Sequence, residues 1–131
     1  MYYRNLFLAG GIWNLGSGLL SLVGILIAPD FTFWLFGINR PGVLFPFDAF
    51  FAIIISFGIG YLIVSNDLTK DHTLVKVGIL TKIVVFISMV IAVVSKQANF
   101  LLLAVGLIDL TFAILYIEFL RKFGHEGRQS S

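Results

Sequence analysis

Long hydrophobic stretches alternate with short polar ones along this chain. Residues 6–28 carry no ionisable side chain, and residues 43–64, 74–94 and 100–120 are nearly as apolar. Each stretch is close to the ~20 residues that an α-helix needs to cross a hydrocarbon core about 30 Å thick. The pattern therefore predicts four transmembrane helices in one domain that spans residues 1–131.

The polar connections predict how these helices are arranged. Residues 66–73 (NDLTKDHT) form a short polar turn, and residues 95–99 (SKQAN) form a tight hairpin. Connections this short force neighbouring helices to pack antiparallel. The predicted fold class is all-α, a transmembrane four-helix up-down bundle.

The first connection, at residues 30–42, is aromatic and follows Pro29, which stops the first helix. One interpretation is a short helix at headgroup depth, capped by Asp30 and ended by Gly37. The other is a loop folded over the outer end of the bundle, and the sequence favours neither. The side chains predicted to lie at the interface are Phe31, Phe33, Trp34 and Phe36.

Composition and charge agree with a membrane environment. Charged residues make up 12% of the chain, against roughly 25% in soluble domains. The basic residues lie at helix ends, which favours a topology pattern over a nucleic-acid-binding face. One side carries Arg4, Lys70, Lys76, Arg121, Lys122 and Arg128, and the other carries Arg40 and Lys96. By the positive-inside rule, both termini face the cytoplasm.

Several kinds of chemistry have no support in the sequence. The chain has no cysteine, which excludes disulfides, thiolate metal sites and thiol redox chemistry. No metal site is predicted, because His72 beside Asp71 is better explained as part of a solvated turn. The chain contains no Walker loop, dinucleotide fingerprint, zinc-protease motif or serine elbow. These absences argue against an ordinary hydrolytic or phosphoryl-transfer enzyme, and no catalytic residue is assigned.

Four polar residues fall at membrane depth. Counting along the helices places Asn14, Lys82 and Asp109 near the bilayer midplane, and Asp48 nearer the outer face just after Pro46. Ionisable groups at this depth are costly and usually face a partner in the bundle interior. We therefore expect one buried polar cluster. It serves either as an ion or ligand site or as an ion pair that fixes helix register.

Small residues form a second pattern. They allow helix backbones to approach closely, and in membranes they mark helix contacts. Packing within the chain is the first interpretation, and a subunit interface is the second. The residues selected are Gly10 and Gly18 in the first helix and Ala52, Ser56 and Gly60 in the second.

The order of these features resembles small bacterial DoxX-like four-helix membrane proteins. The resemblance covers residues 6–120 and is carried by short motifs: Gly11-Ile12-Trp13-Asn14, Gly58-Ile59-Gly60-Tyr61, Gly78-Ile79-Leu80-Thr81-Lys82 and Asp109-Leu110. It implies a bundle in a bacterial inner membrane. It also implies an association, in some relatives, with quinone-linked oxidoreductases, but it transfers no catalytic residue.

Three functions fit these observations. The first is a non-enzymatic subunit or scaffold that contacts other membrane proteins through its small-residue faces. The second is an oligomeric channel or transporter for protons or small ions, with the polar cluster as its pathway. The third is a protein that binds a quinone or a lipid in the membrane. No cofactor is required by the sequence, and a quinone is the one candidate.

Overall fold

The computed structural model describes residues 2–129, with the side chains of residues 2–123. This part of the chain contains no β-strand and confirms the predicted all-α helical bundle. Its helices are α1 (Tyr2–Ile27), α2 (Pro29–Leu35), α3 (Phe45–Asn66), α4 (His72–Val94) and α5 (Phe100–Gln129).

Four segments are long and apolar enough to cross a membrane: α1, α3, α4 and residues Phe100–Phe123 of α5. The chain is therefore a small integral membrane protein in contact with lipid. Two helices extend beyond their apolar stretches: α1 begins at Tyr2, and α5 continues beyond residue 120.

The aromatic connection contains the short helix α2, which begins at Pro29. One interpretation of the sequence expected Asp30 to cap this helix, but Asp30 lies within its first turn and makes no capping hydrogen bond. Its side chain pairs with Arg40 at 2.9 Å instead. The predicted interfacial aromatics divide into two groups. Phe31 and Trp34 are exposed, Phe33 is 3% exposed, and Phe36 is half-buried.

The bundle consists of two helix pairs, α1 with α3 and α4 with α5. The first pair is held at a close backbone crossing. A Cβ atom on Gly11 would lie 2.9 Å from the carbonyl oxygen of Gly58, and one on Gly58 would lie 2.9 Å from the backbone nitrogen of Leu15. Only glycine allows α1 and α3 to come this close.

The two pairs meet tightly at one end of the bundle. We call it the closed end; it comprises the start of α1, the end of α3, the start of α4 and the end of α5. The ring of Phe7 stacks on Tyr116 with centroids 4.6 Å apart and meets Phe119 edge to face at 4.8 Å. The buried core here is Leu6, Phe7, Tyr61, Val64, Val75, Ile79, Ala113, Tyr116 and Phe119.

The opposite half, the cavity end, contains α2 and the hairpin between α4 and α5. Asn99 connects these two elements. Its backbone N–H donates to the carbonyl of Phe36 and its Nδ2 donates to the carbonyl of Leu35, both at 2.8 Å. Its Oδ1 accepts from the N–H of Leu101 at 3.1 Å, at the start of α5. Asn99 therefore fixes α2 to the hairpin.

Gly37 makes this connection sterically feasible. Its φ of +68° lies in the left-handed region, which favours glycine. A Cβ atom at this position would also lie 3.0 Å from the backbone nitrogen of Asn99. The sharp reversal after α2 and the close approach of Asn99 both depend on the missing side chain.

Candidate functional site

A cavity of about 500 Å³ lies between the two helix pairs at the cavity end. The volume falls within the range of small-molecule pockets. Phe50 and Phe57 of α3 and Val85 of α4 contribute to its apolar walls, while α2 contributes Thr32 and Phe33. The polar residues Asn14, Lys82 and Asp109 also line it. The cavity is therefore largely apolar, with its charged groups at one level.

Lys82 is the centre of the polar group. Its Nζ donates to Asp109 Oδ1 at 2.7 Å and to Asn14 Oδ1 at 3.0 Å. Asn14 Nδ2 in turn lies 3.4 Å from the carbonyl oxygen of Ile54. Lys82 is 6% exposed and Asp109 is half-buried. We call Asn14, Lys82 and Asp109 the polar cluster; it joins α1, α4 and α5.

Trp13 adds a contact that the sequence interpretation did not assign. Its Nε1 donates to Asp109 Oδ1 at 3.1 Å. An indole N–H in a membrane needs a hydrogen-bond acceptor. The position of Trp13 next to Asn14 in the sequence was the feature that could have indicated this contact. With this bond, Asp109 Oδ1 accepts two hydrogen bonds, one from each helix pair.

Aromatic rings surround the ammonium group of Lys82. Its Nζ lies 5.6 Å from the ring centroid of Tyr61 and 5.9 Å from that of Phe112. A desolvated cation is attracted to aromatic faces at this distance. Tyr61 also belongs to the core of the closed end. The polar cluster therefore lies directly at the boundary between the closed end and the cavity.

The hydrogen-bonding capacity of the cluster is not used up by the protein. Lys82 has three N–H groups, and the structure gives it two acceptors, Asn14 and Asp109. Within residues 2–123, both bonds to Asp109 end on Oδ1, which leaves Oδ2 without a partner. The cluster thus offers one donor and one acceptor from a pair whose charges cancel.

Asp48 does not belong to this cluster, contrary to the sequence expectation. It lies in the first turn of α3, six residues before Ile54, which corresponds to about 9 Å along the helix. Its Oδ1 is buried and has no hydrogen-bond partner in the described part of the chain. Its position in the first turn of α3 places it near one end of this apolar segment instead.

The predicted packing glycines lie inside the bundle, and the other two small residues do not. Gly10 lies beneath the hydroxyl of Tyr116, Gly18 faces Ile55, and Gly60 faces Leu74. By contrast, Ala52 and Ser56 are exposed on the outside of α3. For these two residues the prediction of packing within the chain is wrong, because α3 turns their face away from α1 and α4.

The cavity has an exposed rim along the seam between α3 and α4. These helices approach each other near their connecting turn, where Gly60 meets Leu74 and Gly78 meets Tyr61. Further from the turn, Ile53 and Ser88 line the cavity and are also exposed, Ile53 by 53%. The side chains at this seam are therefore accessible from both the cavity and the surroundings.

Within the described residues, no group of three or more His, Cys, Asp or Glu side chains could hold a metal ion. Comparison with protein-family models, curated proteins and solved structures finds no match to this chain.

Proposed function

We propose that this protein binds a lipid-like molecule inside the membrane, with the polar cluster as the site for its head and the aromatic cavity as the site for its body. A quinone or another lipid with a compact head belongs to this class. The observation that carries the proposal is that a largely apolar cavity contains a buried, hydrogen-bonded Lys82–Asp109 pair. Binding alone accounts for this arrangement, and no catalytic step is proposed.

The polar cluster differs from a purely structural ion pair because it lines a cavity. Ionisable groups in the membrane are costly, and they commonly mark ligand or ion sites. A structural pair is best closed off by packing, whereas Lys82 and Asp109 both line an accessible volume. Binding pockets typically combine apolar walls with a few well-placed polar groups. The cavity end has this combination, and the closed end does not.

Access through the seam between α3 and α4 fits a ligand dissolved in the membrane. The rim residues Ile53 and Ser88 lie on membrane-spanning helices rather than in polar loops. Asn99 and α2 are held together by hydrogen bonds at the end of the bundle. We propose that the ligand diffuses sideways from the bilayer, so that it never passes through water.

Mass spectrometry of the purified protein tests the binding proposal. The wild-type protein in mild detergent should retain a lipid-like molecule that is enriched over the bulk lipid extract. Val85→Trp fills the cavity wall and should abolish this enrichment, because Val85 lines the cavity. Ile87→Trp is the matched control, since Ile87 is 52% exposed and lies outside the cavity lining. Equal enrichment in both variants would contradict the proposal.

A role as a subunit or scaffold is the second candidate function, favoured by the outward position of Ala52 and Ser56. Small residues on a lipid-facing helix allow a second helix to approach closely. The absence of native cysteines makes the test specific. With an added thiol oxidant, Ser56→Cys should form a disulfide-linked dimer, whereas Leu80→Cys on the exposed surface of α4 should not. Equal cross-linking would argue against this interface.

A pathway for protons or small ions has less support from the packing. The rings of Phe7, Tyr116 and Phe119 are at most 1% exposed and fill the closed end. A pathway within one chain would have to pass this aromatic layer. Proton flux into liposomes that disappears in Lys82→Met/Asp109→Asn would nevertheless establish the channel function and overturn the binding proposal.

The proposed topology places both termini in the cytoplasm of a bacterial inner membrane, as the basic residues and the DoxX-like resemblance suggest. Single cysteines at Asn5 and Lys96 would test the orientation, because they lie at opposite ends of the bundle and both positions are exposed. A membrane-impermeant thiol reagent added outside intact cells should label Lys96→Cys and leave Asn5→Cys unlabelled. The reverse result would invert the topology.

A further inference from the structure

We infer that the head of the ligand is an uncharged group that both accepts and donates a hydrogen bond, with a hydroxyl as the simplest case. This inference rests on the proposed binding function and narrows it to a chemical class. Lipid alcohols and hydroquinones belong to the class, whereas phospholipids, fatty-acid anions and alkyl amines do not.

The charge of the site excludes ionic heads. Lys82 and Asp109 form a 2.7 Å ion pair within the bundle, so their charges cancel at the distance of a ligand head. A phosphate next to Lys82 would also face Asp109, and an ammonium next to Asp109 would also face Lys82. Neither ion would gain a net attraction that offsets its loss of hydration in an apolar cavity.

The unused hydrogen-bonding groups specify the rest of the head. The third N–H of Lys82 needs an acceptor, and Oδ2 of Asp109 needs a donor. A hydroxyl provides both from a single oxygen atom, because it has one O–H and two lone pairs. A quinone carbonyl would satisfy Lys82 alone. The hydroxyl is therefore the best match to the two open positions.

The surroundings of the cluster are mostly apolar and therefore suit an apolar body for the rest of the ligand. The wall beyond the cluster is formed by Phe50, Phe57 and Val85. The lining also contains serine and threonine hydroxyls, and most of them donate to a nearby backbone carbonyl: those of Ser17, Thr32, Thr81 and Ser88 do so, and that of Ser21 does not. Among the described residues that line the cavity, Lys82 and Asp109 are the only charged ones. One polar head on one hydrocarbon body is the arrangement that this cavity accommodates.

Photolabelling with matched probes tests the inference. Four diazirine probes with the same alkyl chain would carry a hydroxyl, a methyl ether, a phosphate or a trimethylammonium head. In phosphatidylcholine nanodiscs, the hydroxyl probe should label the wild-type cavity most strongly. Loss of one hydrogen bond should reduce labelling by the ether about threefold to tenfold. Labelling is mapped to the cavity by peptide mass spectrometry, with Val85→Trp as the blocked control.

Charge variants make the test specific to the Lys82–Asp109 pair. Asp109→Asn leaves the Lys82 charge uncompensated, so the phosphate probe should gain labelling relative to the hydroxyl probe. Lys82→Met leaves the Asp109 charge, so the trimethylammonium probe should gain instead. Lys76→Met is the matched control, because Lys76 is exposed on α4 outside the cavity, and it should leave the wild-type preference unchanged.

The possible outcomes separate the two claims. If no probe labels the cavity above the Val85→Trp background, the proposed binding function fails. If probes bind but a charged head labels the wild-type protein as strongly as the hydroxyl, the binding function stands and the inference is overturned. If a charge variant does not fold, the four-probe comparison on the wild-type protein still decides whether the site prefers an uncharged hydroxyl head.

Discussion

The closed end and the cavity end are built from the same four transmembrane helices, yet they pack in opposite ways. At the closed end, Phe7, Tyr116 and Phe119 interlock and leave no exposed ring. At the cavity end, Phe50 and Phe57 face an open volume of about 500 Å³. Both halves belong to the same long apolar helices. The difference shows that hydrophobicity places helices in a membrane, whereas side-chain shape decides where they touch.

This contrast also separates stability from function. Packing and not water exclusion drives helix association in lipid, so the interlocked closed end should hold the bundle together. At the cavity end, the side chains around the Lys82–Asp109 pair are less closely packed. Substitutions at the two ends should therefore have unequal effects on stability.

Phe119→Ala should produce the largest loss of stability. Phe119 is fully buried in the closed end, and truncation of such a ring costs about 3–5 kcal/mol. Phe50→Ala is the matched substitution at the cavity end, where an existing volume should limit the cost to about 1 kcal/mol. Reversible unfolding in mixed micelles measures both. Equal losses would remove the distinction between the two ends.

Lys82→Met should be nearly as damaging, for an electrostatic reason. It leaves Asp109 as an unpaired charge inside the bundle, and breaking a buried pair costs about 3–5 kcal/mol. Lys82→Met/Asp109→Asn removes both charges and should recover most of that loss. The same unfolding assay gives the coupling free energy. A double variant no more stable than the single one would mean that the pair does not act as a unit.

Gly11→Leu should destabilise the contact between α1 and α3. A Cβ atom at this position would lie 2.9 Å from the backbone oxygen of Gly58, and overpacking of this kind costs about 1–3 kcal/mol. Gly16→Leu on the same helix is the control, because a Cβ atom there meets nothing within 4 Å. If both variants lose a similar free energy of unfolding, the backbone crossing is not what stabilises the contact between α1 and α3.

Asn99→Ala should loosen the cavity end without affecting the closed end. It removes the bond from Nδ2 to Leu35 and the cap on the N–H of Leu101, together about 1–2 kcal/mol. Hydrogen exchange should accelerate at the backbone amides of α2 and stay unchanged near Phe119. Asn39→Ala, at an exposed position in the connection after α2, should change neither the exchange rates in α2 nor those near Phe119. Acceleration at both ends would show that the two halves unfold together.

The smallest expected effect is a response to acid at the turn of the closed end. The N–H and hydroxyl of Thr69 donate to Asp67 Oδ1 and lower the pKa of Asp67. A depressed pKa means that the carboxylate stabilises the turn at neutral pH. This contribution is lost as the pH falls below about 4. Asp67→Asn should therefore show a weaker acid dependence of unfolding than the wild type.

Much of this architecture could be predicted from the sequence. Hydrophobic stretches separated by polar turns define transmembrane helices because the bilayer thickness fixes their length. Depth counting also placed Asn14, Lys82 and Asp109 at one level, and the structure brings their side chains together. The depth of a residue in the membrane depends only on its position along the helix, and the hydropathy pattern reports that position directly.

The rest depends on rotation and tilt, which hydropathy does not report. Asp48 was expected to join the polar cluster, although about 9 Å of helix separates it from the level of that cluster. Ala52 and Ser56 have the same spacing as packing residues but face outward. The cavity itself results from the divergence of two helix pairs. The hydrophobic pattern of a single helix does not indicate such a volume.

The hydrogen bond from Trp13 to Asp109 also gives the protein a built-in optical reporter. The chain has two tryptophans, and the other, Trp34, is 70% exposed on α2. In a Trp34→Phe background, all indole fluorescence would come from a ring bonded to the polar cluster. A ligand that changes the charge or hydration around Asp109 would shift its emission wavelength, so occupancy could be followed without a label.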